Sequence, residues 1–316
     1  MCSGRGCVEV VATAIGVYGR LRIVPMPASR VINPVRGMPF RWSFNPYRGC
    51  AHACRYCYAR RTHEFLGYNA EDDFDRIILA KLDAPRCLRA ELTRPTWRRE
   101  LVAVGTATDP YQPPEGRLRL TRRSLAVFLA HRTPISLVTK STLVVRDRDL
   151  LGELCRRAPA TTVWMTITTL DRTLARSVEP GAPPPAQRLR AVRMLAQAGV
   201  RVGVMIAPIL PGLTDDPAGL AALVQAAREA GAVDVHASPL RLCEGAREVY
   251  LAWLRRRTPW LSALYRDLYR GGDHVDEAMR VRLETTIHRL KQEAGFTSLP
   301  ASAVDSTADG QTSFGW

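Results

Sequence analysis

From Trp97 onward, the chain alternates between apolar runs and amphipathic stretches. The apolar runs are "ELVAVGTAT" (100–108), "PISLVTKS" (134–141), "TTVWMTIT" (161–168), "VRVGVMIAPI" (200–209) and "AVDVHASPL" (232–240). They are rich in Val, Ile and Thr and do not alternate strictly with polar residues, as expected of parallel strands covered on both faces. Between them lie stretches with helical spacing. In 217–230, Leu220, Leu223, Val224 and Ala227 form one stripe. In 186–199, Leu189, Val192, Leu195 and Ala196 do the same, with Gly199 placed to end the helix. Segments 116–131 and 146–157 read likewise. Strand followed by helix at intervals of roughly 30 residues is the mark of right-handed βαβ units around a parallel sheet.

A first strand near "FRWSFNPY" brings the strand count to six. A full (β/α) barrel closes with about eight strands, so the expected fold is α/β, a partial (β/α)6 TIM-type barrel, with a doubly wound sheet as the other option. Residues 39–245 would make the core domain and 246–296 a C-terminal helical region. Residues 1–38, rich in Gly, Pro and Arg, read as a loosely ordered extension, and 297–316 as a disordered tail. In either α/β architecture, chemistry belongs at the carboxyl ends of the strands. Thr106, Thr108, Asp109, Lys140, Ser141, Thr166 and Thr168 all fall there.

Composition narrows the class without choosing a function. The chain has 316 residues, 46% hydrophobic and 24% charged, as in a globular protein. No run of about 18 apolar residues predicts a membrane span. The apolar start "VEVVATAIGVYG" carries Glu9 and lacks the basic lead and cleavage site of a signal peptide, which points to the cytoplasm. The net charge is +15, almost all from arginine, because only Lys81, Lys140 and Lys291 are lysines. Such a surplus attracts polyanions. A compositional bias of the source, with arginines on solvated helix faces, explains it equally well.

Three of the eight cysteines crowd into "NPYRGCAHACRYCYAR" as Cys50, Cys54 and Cys57. A [4Fe–4S] electron carrier normally uses four cysteines, so three leave one iron without a side chain. Catalytic zinc sites follow the same logic, keeping one position open for chemistry. Zinc with His52, His63 or a distant cysteine as fourth ligand also fits the spacing. A redox pair of Cys54 and Cys57 would leave Cys50 without a role. Gly49 allows a close backbone approach at the first cysteine. Cys87, Cys155 and Cys243 read as small hydrophobes, and Cys2 and Cys7 lie in the N-terminal extension.

Cys-x3-Cys-x2-Cys with Tyr56 just before the third cysteine resembles the signature of the radical SAM superfamily. "NPYRGC", "CYAR", "TATDPYQPPE", "TKS", "ITTLD" and "APILPG" resemble the branch related to spore photoproduct lyase. The resemblance runs from about Met38 to about Leu242. It implies a [4Fe–4S] cluster on Cys50, Cys54 and Cys57, with S-adenosylmethionine chelating the open iron. One electron then cleaves the cofactor to methionine and a 5′-deoxyadenosyl radical that abstracts a substrate hydrogen. It also implies Tyr56 near the adenine, and Thr106, Thr108 and Asp109 near the methionine amino group. Lys140 would meet the methionine carboxylate and Thr166 the ribose or carboxylate, with Thr168 the second choice. A reductant such as flavodoxin or ferredoxin would supply the electron.

Two details shade the resemblance. The lyase uses a cysteine just after its second strand as hydrogen donor, and this chain reads "GTATD" there. "DPYQPPE" (109–115), after the same strand, reads as a rigid loop shaping a substrate pocket. The substrate class expected from charge and resemblance is nucleic acid, with a peptide or protein as the other enzymatic option. The reading from a different class is a zinc- or iron–sulfur-stabilised nucleic-acid-binding protein without catalysis.

Overall fold

The computed structural model describes residues 15–296. Its main sheet contains the expected parallel strands, numbered here in chain order with the shorter ones that precede them. The N-terminal strands are β1 (Gly16–Tyr18), β2 (Leu21–Pro25) and β3 (Ile32–Pro34). Next come β4 (Trp42–Phe44), β5 (Tyr47–Arg48) and β6 (Ile77–Ala80). The barrel strands continue as β7 (Val102–Val104), β8 (Ile135–Thr139), β9 (Thr162–Thr166), β10 (Val202–Ile209) and β11 (Val235–Pro239).

The larger sheet runs β11-β10-β9-β8-β7-β4-β3. From β4 to β11 every neighbouring pair is parallel, as in Val102↔Ile135 and Val204↔Val235, whereas β3 adds antiparallel to β4. The order follows the sequence without reversal, so the sheet has no topological switch point and is wound as a barrel rather than doubly wound. Its end strands do not pair with each other, and the barrel stays open with six parallel strands.

The helices lie where the apolar stripes require. Helix Pro217–Glu229 buries Leu220, Leu223, Val224 and Ala227, and the Asp216 side chain caps its first turn by accepting from Gly219 N–H. Helix Pro185–Gln197 buries Ala191, Val192 and Leu195 and also Arg188, an unexpected guest on an apolar face. Gly199 follows it with φ +73°, the left-handed conformation that ends helices. The expected helix over 116–131 is split by Arg119 (φ 50°) into a short turn and helix Leu120–Ala130. Helix Arg148–Arg157 starts later than expected, after a 3-10 stretch over Thr142–Asp147. Beyond the barrel lie helices Ala246–Arg257, Ser262–Leu268 and Glu277–Glu293. No helix among the described residues is long and apolar enough to cross a membrane.

The N-terminal segment departs from expectation. Within 1–38, residues 16–34 carry three strands rather than a loose extension. β1 pairs antiparallel with β2, β2 runs parallel to β6, and β6 pairs with β5, which makes a four-stranded sheet beside the barrel. Ile23 and Val24 are buried in that sheet and Ile32 in the larger one, so short apolar stretches outweigh the Gly and Pro around them. Residues 1–14 and the tail 297–316 lie outside the described residues.

Candidate cofactor site at the strand ends

The cysteine loop follows β4 and β5 and lies across the carboxyl ends of the barrel strands. Cys50, Cys54 and Cys57 line one cavity whose far walls come from the ends of β7, β8, β9, β10 and β11. Tyr56, Thr106, Thr108, Asp109, Lys140 and Thr166, all singled out from the sequence, border the same cavity. Tyr58, Met205 and Arg241, which the sequence did not single out, join them.

The loop has little regular structure and is held by neighbours on several sides. Cys50 N–H donates to Phe74 O at 2.9 Å, and Arg55 N–H to Val178 O at 2.9 Å. Gly49 has φ +75°, and a Cβ there would lie 2.5 Å from Ile77 O. The glycine therefore serves the packing of the loop onto β6 as well as the turn itself. Arg60, from "CYAR", is completely buried. Its guanidinium donates to Cys54 O at 3.0 and 3.1 Å, to Ala70 O at 2.9 Å and Glu71 O at 2.8 Å, and pairs with Asp75 at 2.8 Å. Only arginine's planar fork reaches so many acceptors at once.

On the other side, "EPGAPPP" (179–185) presses directly on the loop. Gly181 N–H donates to His52 O at 3.0 Å. A Cβ on Gly181 would fall 2.0 Å from Ala51 O, so only glycine fits. Glu179, 1% exposed, is the charge hub behind the cavity. It pairs with Arg188 at 2.5 Å and accepts from Thr168 Oγ1 at 2.7 Å and from the Tyr56 hydroxyl. Lys140 Nζ stands off at 3.9 Å from Glu179, and 5.6 Å from the centroid of the Tyr56 ring. Burial would push the Glu179 carboxyl up, but the Arg188 and Lys140 charges outweigh it and hold the group at about 2. Burial would likewise lower Lys140, yet the neighbouring Cys54 and Glu179 charges keep it above its ordinary value. The ammonium is thus retained beside the cavity, tied only loosely to the acid.

Three residues after β7 behave differently from one another. Asp109 borders the cavity, but both its oxygens are taken. Oδ1 accepts from Thr139 Oγ1 at 2.7 Å and Tyr111 N–H at 2.8 Å. Oδ2 accepts from Lys140 N–H at 2.7 Å and faces His52 Nδ1 at 3.2 Å. Three hydrogen bonds and the facing imidazole thus engage Asp109 with the protein's own groups. Thr108 also turns inward, donating to Gly49 O at 2.6 Å. Thr106, half-buried at the cavity edge, accepts from the Asn45 amide at 3.1 Å. Thr166 lines the cavity while its carbonyl accepts from Arg188 at 3.1 Å. Thr168 is committed to Tyr56 and Glu179.

The donor set suits an iron–sulfur cluster. Cys50, Cys54 and Cys57 are free thiols. Burial raises all three, Cys54 to about 12, and the charges of Cys54 and Cys57 add to the rise at Cys50. Thiolates so disfavoured on their own need a cationic partner to form, which bound iron supplies. Among the described residues, no group of three or more His, Cys, Asp or Glu side chains is arranged to hold a single metal ion. One zinc gathers its ligands around a point at about 2.3 Å from each sulfur, whereas a cube takes each thiolate at a separate corner.

Glu179, Arg188 and Arg60 build this site and were not found in the sequence. Arg188 and Arg60 carried a signal, since each interrupts an apolar or motif-bearing stretch with a cation. Glu179 carried none, standing at the head of the Pro-rich stretch "EPGAPPP".

Comparison with known proteins agrees with this geometry. The sequence model of the radical SAM superfamily matches residues 44–224. An uncharacterized protein of Mycobacterium tuberculosis is 42% identical over 253 residues, covering 80% of this chain and 74% of its own. An uncharacterized protein of Methanocaldococcus jannaschii is 29% identical over 196 residues, covering 62% of this chain and 71% of its own. Among solved structures, spore photoproduct lyase complexed with dinucleoside spore photoproduct superposes with a TM-score of 0.65 at 19% identity, covering 86% of this chain and 79% of the lyase. Members of the matched family use a [4Fe–4S] cluster and S-adenosylmethionine. On the family match over residues 44–224 and on the fold, this chain is an enzyme of the radical SAM superfamily.

Proposed function

We propose that Cys50, Cys54 and Cys57 hold a [4Fe–4S] cluster whose fourth iron takes S-adenosylmethionine, and that the enzyme abstracts hydrogen from a nucleic-acid substrate. The observation that carries this reading is the sharing of one cavity by three free thiols, two of them buried, and Lys140 at the strand ends. When bound and reduced, the two cofactors supply a 5′-deoxyadenosyl radical. The chain's own residues bind and orient. Lys140 offers its ammonium to the methionine carboxylate, and Thr106 accepts from the amino group. Thr166 meets the ribose or the carboxylate. Tyr56, its hydroxyl drawn back to Glu179, presents its ring on the adenine side. Asp109 and Thr108 act one step back, by holding the strand ends and the loop. Apolar side chains such as Met205 and Leu240 on the cavity wall limit water around the reacting atoms. The formal charge of +15 and the fold shared with a lyase that binds a dinucleoside favour nucleic acid over peptide. A flavodoxin or ferredoxin in the cytoplasm would be the electron source.

Anaerobic purification tests the cofactor reading. The expected result is a brown protein with about four irons per chain that releases methionine and 5′-deoxyadenosine on reduction. A colourless protein with one zinc would refute it. The substrate is tested by deuterium transfer into 5′-deoxyadenosine from deuterated oligonucleotides and from deuterated peptides; transfer from peptides alone would refute the nucleic-acid assignment.

Lys140→Ala gives a more local prediction. Losing a hydrogen bond to a charged group costs about 1.5–3 kcal/mol, so S-adenosylmethionine should bind about tenfold to 100-fold more weakly. Cluster absorbance should be unchanged. Calorimetry on the oxidised, cluster-loaded protein reads the affinity, and an unaltered value would remove Lys140 from the site.

A further inference from the structure

"DPYQPPE" has the look of a substrate loop, yet its polar side chains face the protein. Asp109, Gln112 and Glu115 are all buried, and Gln112 and Glu115 are completely enclosed. Each reaches a different point on the strand and loop that carry the first cysteines. Asp109 Oδ2 faces His52 Nδ1 at 3.2 Å. Glu115 accepts from the Tyr47 hydroxyl at 2.6 Å and is anchored by Thr121 N–H at 3.0 Å and Arg146 at 2.8 Å. Between them, Gln112 Oε1 accepts from Ala51 N–H at 3.0 Å, and Nε2 donates to Gly49 O at 3.0 Å and Thr108 Oγ1 at 2.9 Å. Residues 109, 112 and 115 thus meet residues 52, 49 with 51, and 47, as two segments running in opposite directions.

We infer that Gln112 is a positioning residue for the cluster. Its amide bonds the backbone immediately before and immediately after Cys50, and thereby fixes the direction of that thiol. The assignment of oxygen and nitrogen in this amide is unambiguous, because an N–H faces one end and a carbonyl the other. Only Gln has the length and both functions. A Leu leaves the buried Ala51 N–H unpaired and Gly49 O held by Thr108 alone, and a Glu sets a carboxylate oxygen against Gly49 O. The prolines at 110, 113 and 114 limit the backbone freedom of the segment, so the amide is held before any cluster arrives. "DPYQPPE" belongs, on this inference, to the machinery that presents the cluster rather than to the substrate pocket.

The inference rests on the reading that Cys50 is a cluster ligand, and the experiment separates the two. Full-length wild type, Gln112→Leu and Gln112→Glu are reconstituted anaerobically, and iron content, chelator-driven iron loss, and the electron paramagnetic resonance of the reduced cluster are recorded. If wild type itself takes up no cluster, the underlying reading falls. If wild type is loaded, both variants should lose iron about tenfold faster or more, the scale set by unpaired buried groups. Their resonance spectra should change, and the melting temperatures of the apoproteins give the purely structural cost. Loaded variants with wild-type spectra and wild-type iron loss, whatever their melting temperature, would overturn the role. Gln112→Glu, which keeps the bond from Ala51 N–H, carries the test if the leucine variant does not fold.

Discussion

A Cys54→Ala variant is expected to purify without colour and to release no methionine from S-adenosylmethionine, while its polypeptide stays folded. Cys54 is 6% exposed, and its carbonyl is bonded twice by Arg60. Those bonds involve the backbone and survive the substitution. The side chain lost is small, so the apoprotein should be destabilised by roughly 1 kcal/mol, the centre of the usual range for point changes. Function behaves otherwise. Two thiolates cannot hold three corners of a cube, and the open fourth position has meaning only when the other three are filled. Loss of cleavage should therefore be complete. Cys87→Ala and Cys155→Ala are the matched controls, because Cys87 donates to Ala28 O at 2.9 Å and Cys155 lies at Thr161 O, both outside the cavity. They should stay brown and active. A coloured, cleaving Cys54→Ala protein would show that the three-cysteine loop is not the cluster site.

What the sequence made legible was whatever repeats or whatever clusters. Parallel strands buried on both faces leave continuous apolar runs, and helices packed on one side leave a stripe. Both patterns are local, and five of the barrel strands fell within the predicted runs. The shared rim followed from topology, since consecutive right-handed βα units bring every strand end to one side. The cysteines were conspicuous by spacing alone. Interactions between segments far apart in the chain were not legible. Gln112 and Gly49 are 63 residues apart, and Tyr56 and Glu179 are 123 apart. No periodicity links such pairs. The short N-terminal strands were hidden for another reason: with three to five residues each, they are below the length at which a pattern stands out from Gly and Pro neighbours. Asp109 illustrates a subtler limit. It stands at a strand end as expected, but only the folded structure shows that its oxygens accept from Tyr111, Thr139 and Lys140.

Glu179→Ala should be among the most destabilising single changes in the barrel. It removes the partner of Arg188, whose side chain is 1% exposed, and the carboxylate 3.9 Å from Lys140 Nζ. Breaking a buried pair by deleting one member costs about 3–5 kcal/mol, because the remaining charge stays desolvated. For a chain of this size, that corresponds to a fall in melting temperature on the order of 10 °C. The double variant Glu179→Gln with Arg188→Met should recover much of the loss, since removing both charges leaves neither stranded. The pH dependence carries an independent sign. The folded carboxyl is held at about 2, below its ordinary 4.5, so its contribution is complete above pH 4.5 and disappears as pH falls toward 2. Wild type should lose that share of stability in this window, and the double variant should not. Thermal melts of the apoproteins between about pH 2.5 and 7 compare the two curves directly. Parallel curves would mean that Glu179 is not the charge that holds Tyr56, Lys140 and Arg188 together behind the cavity.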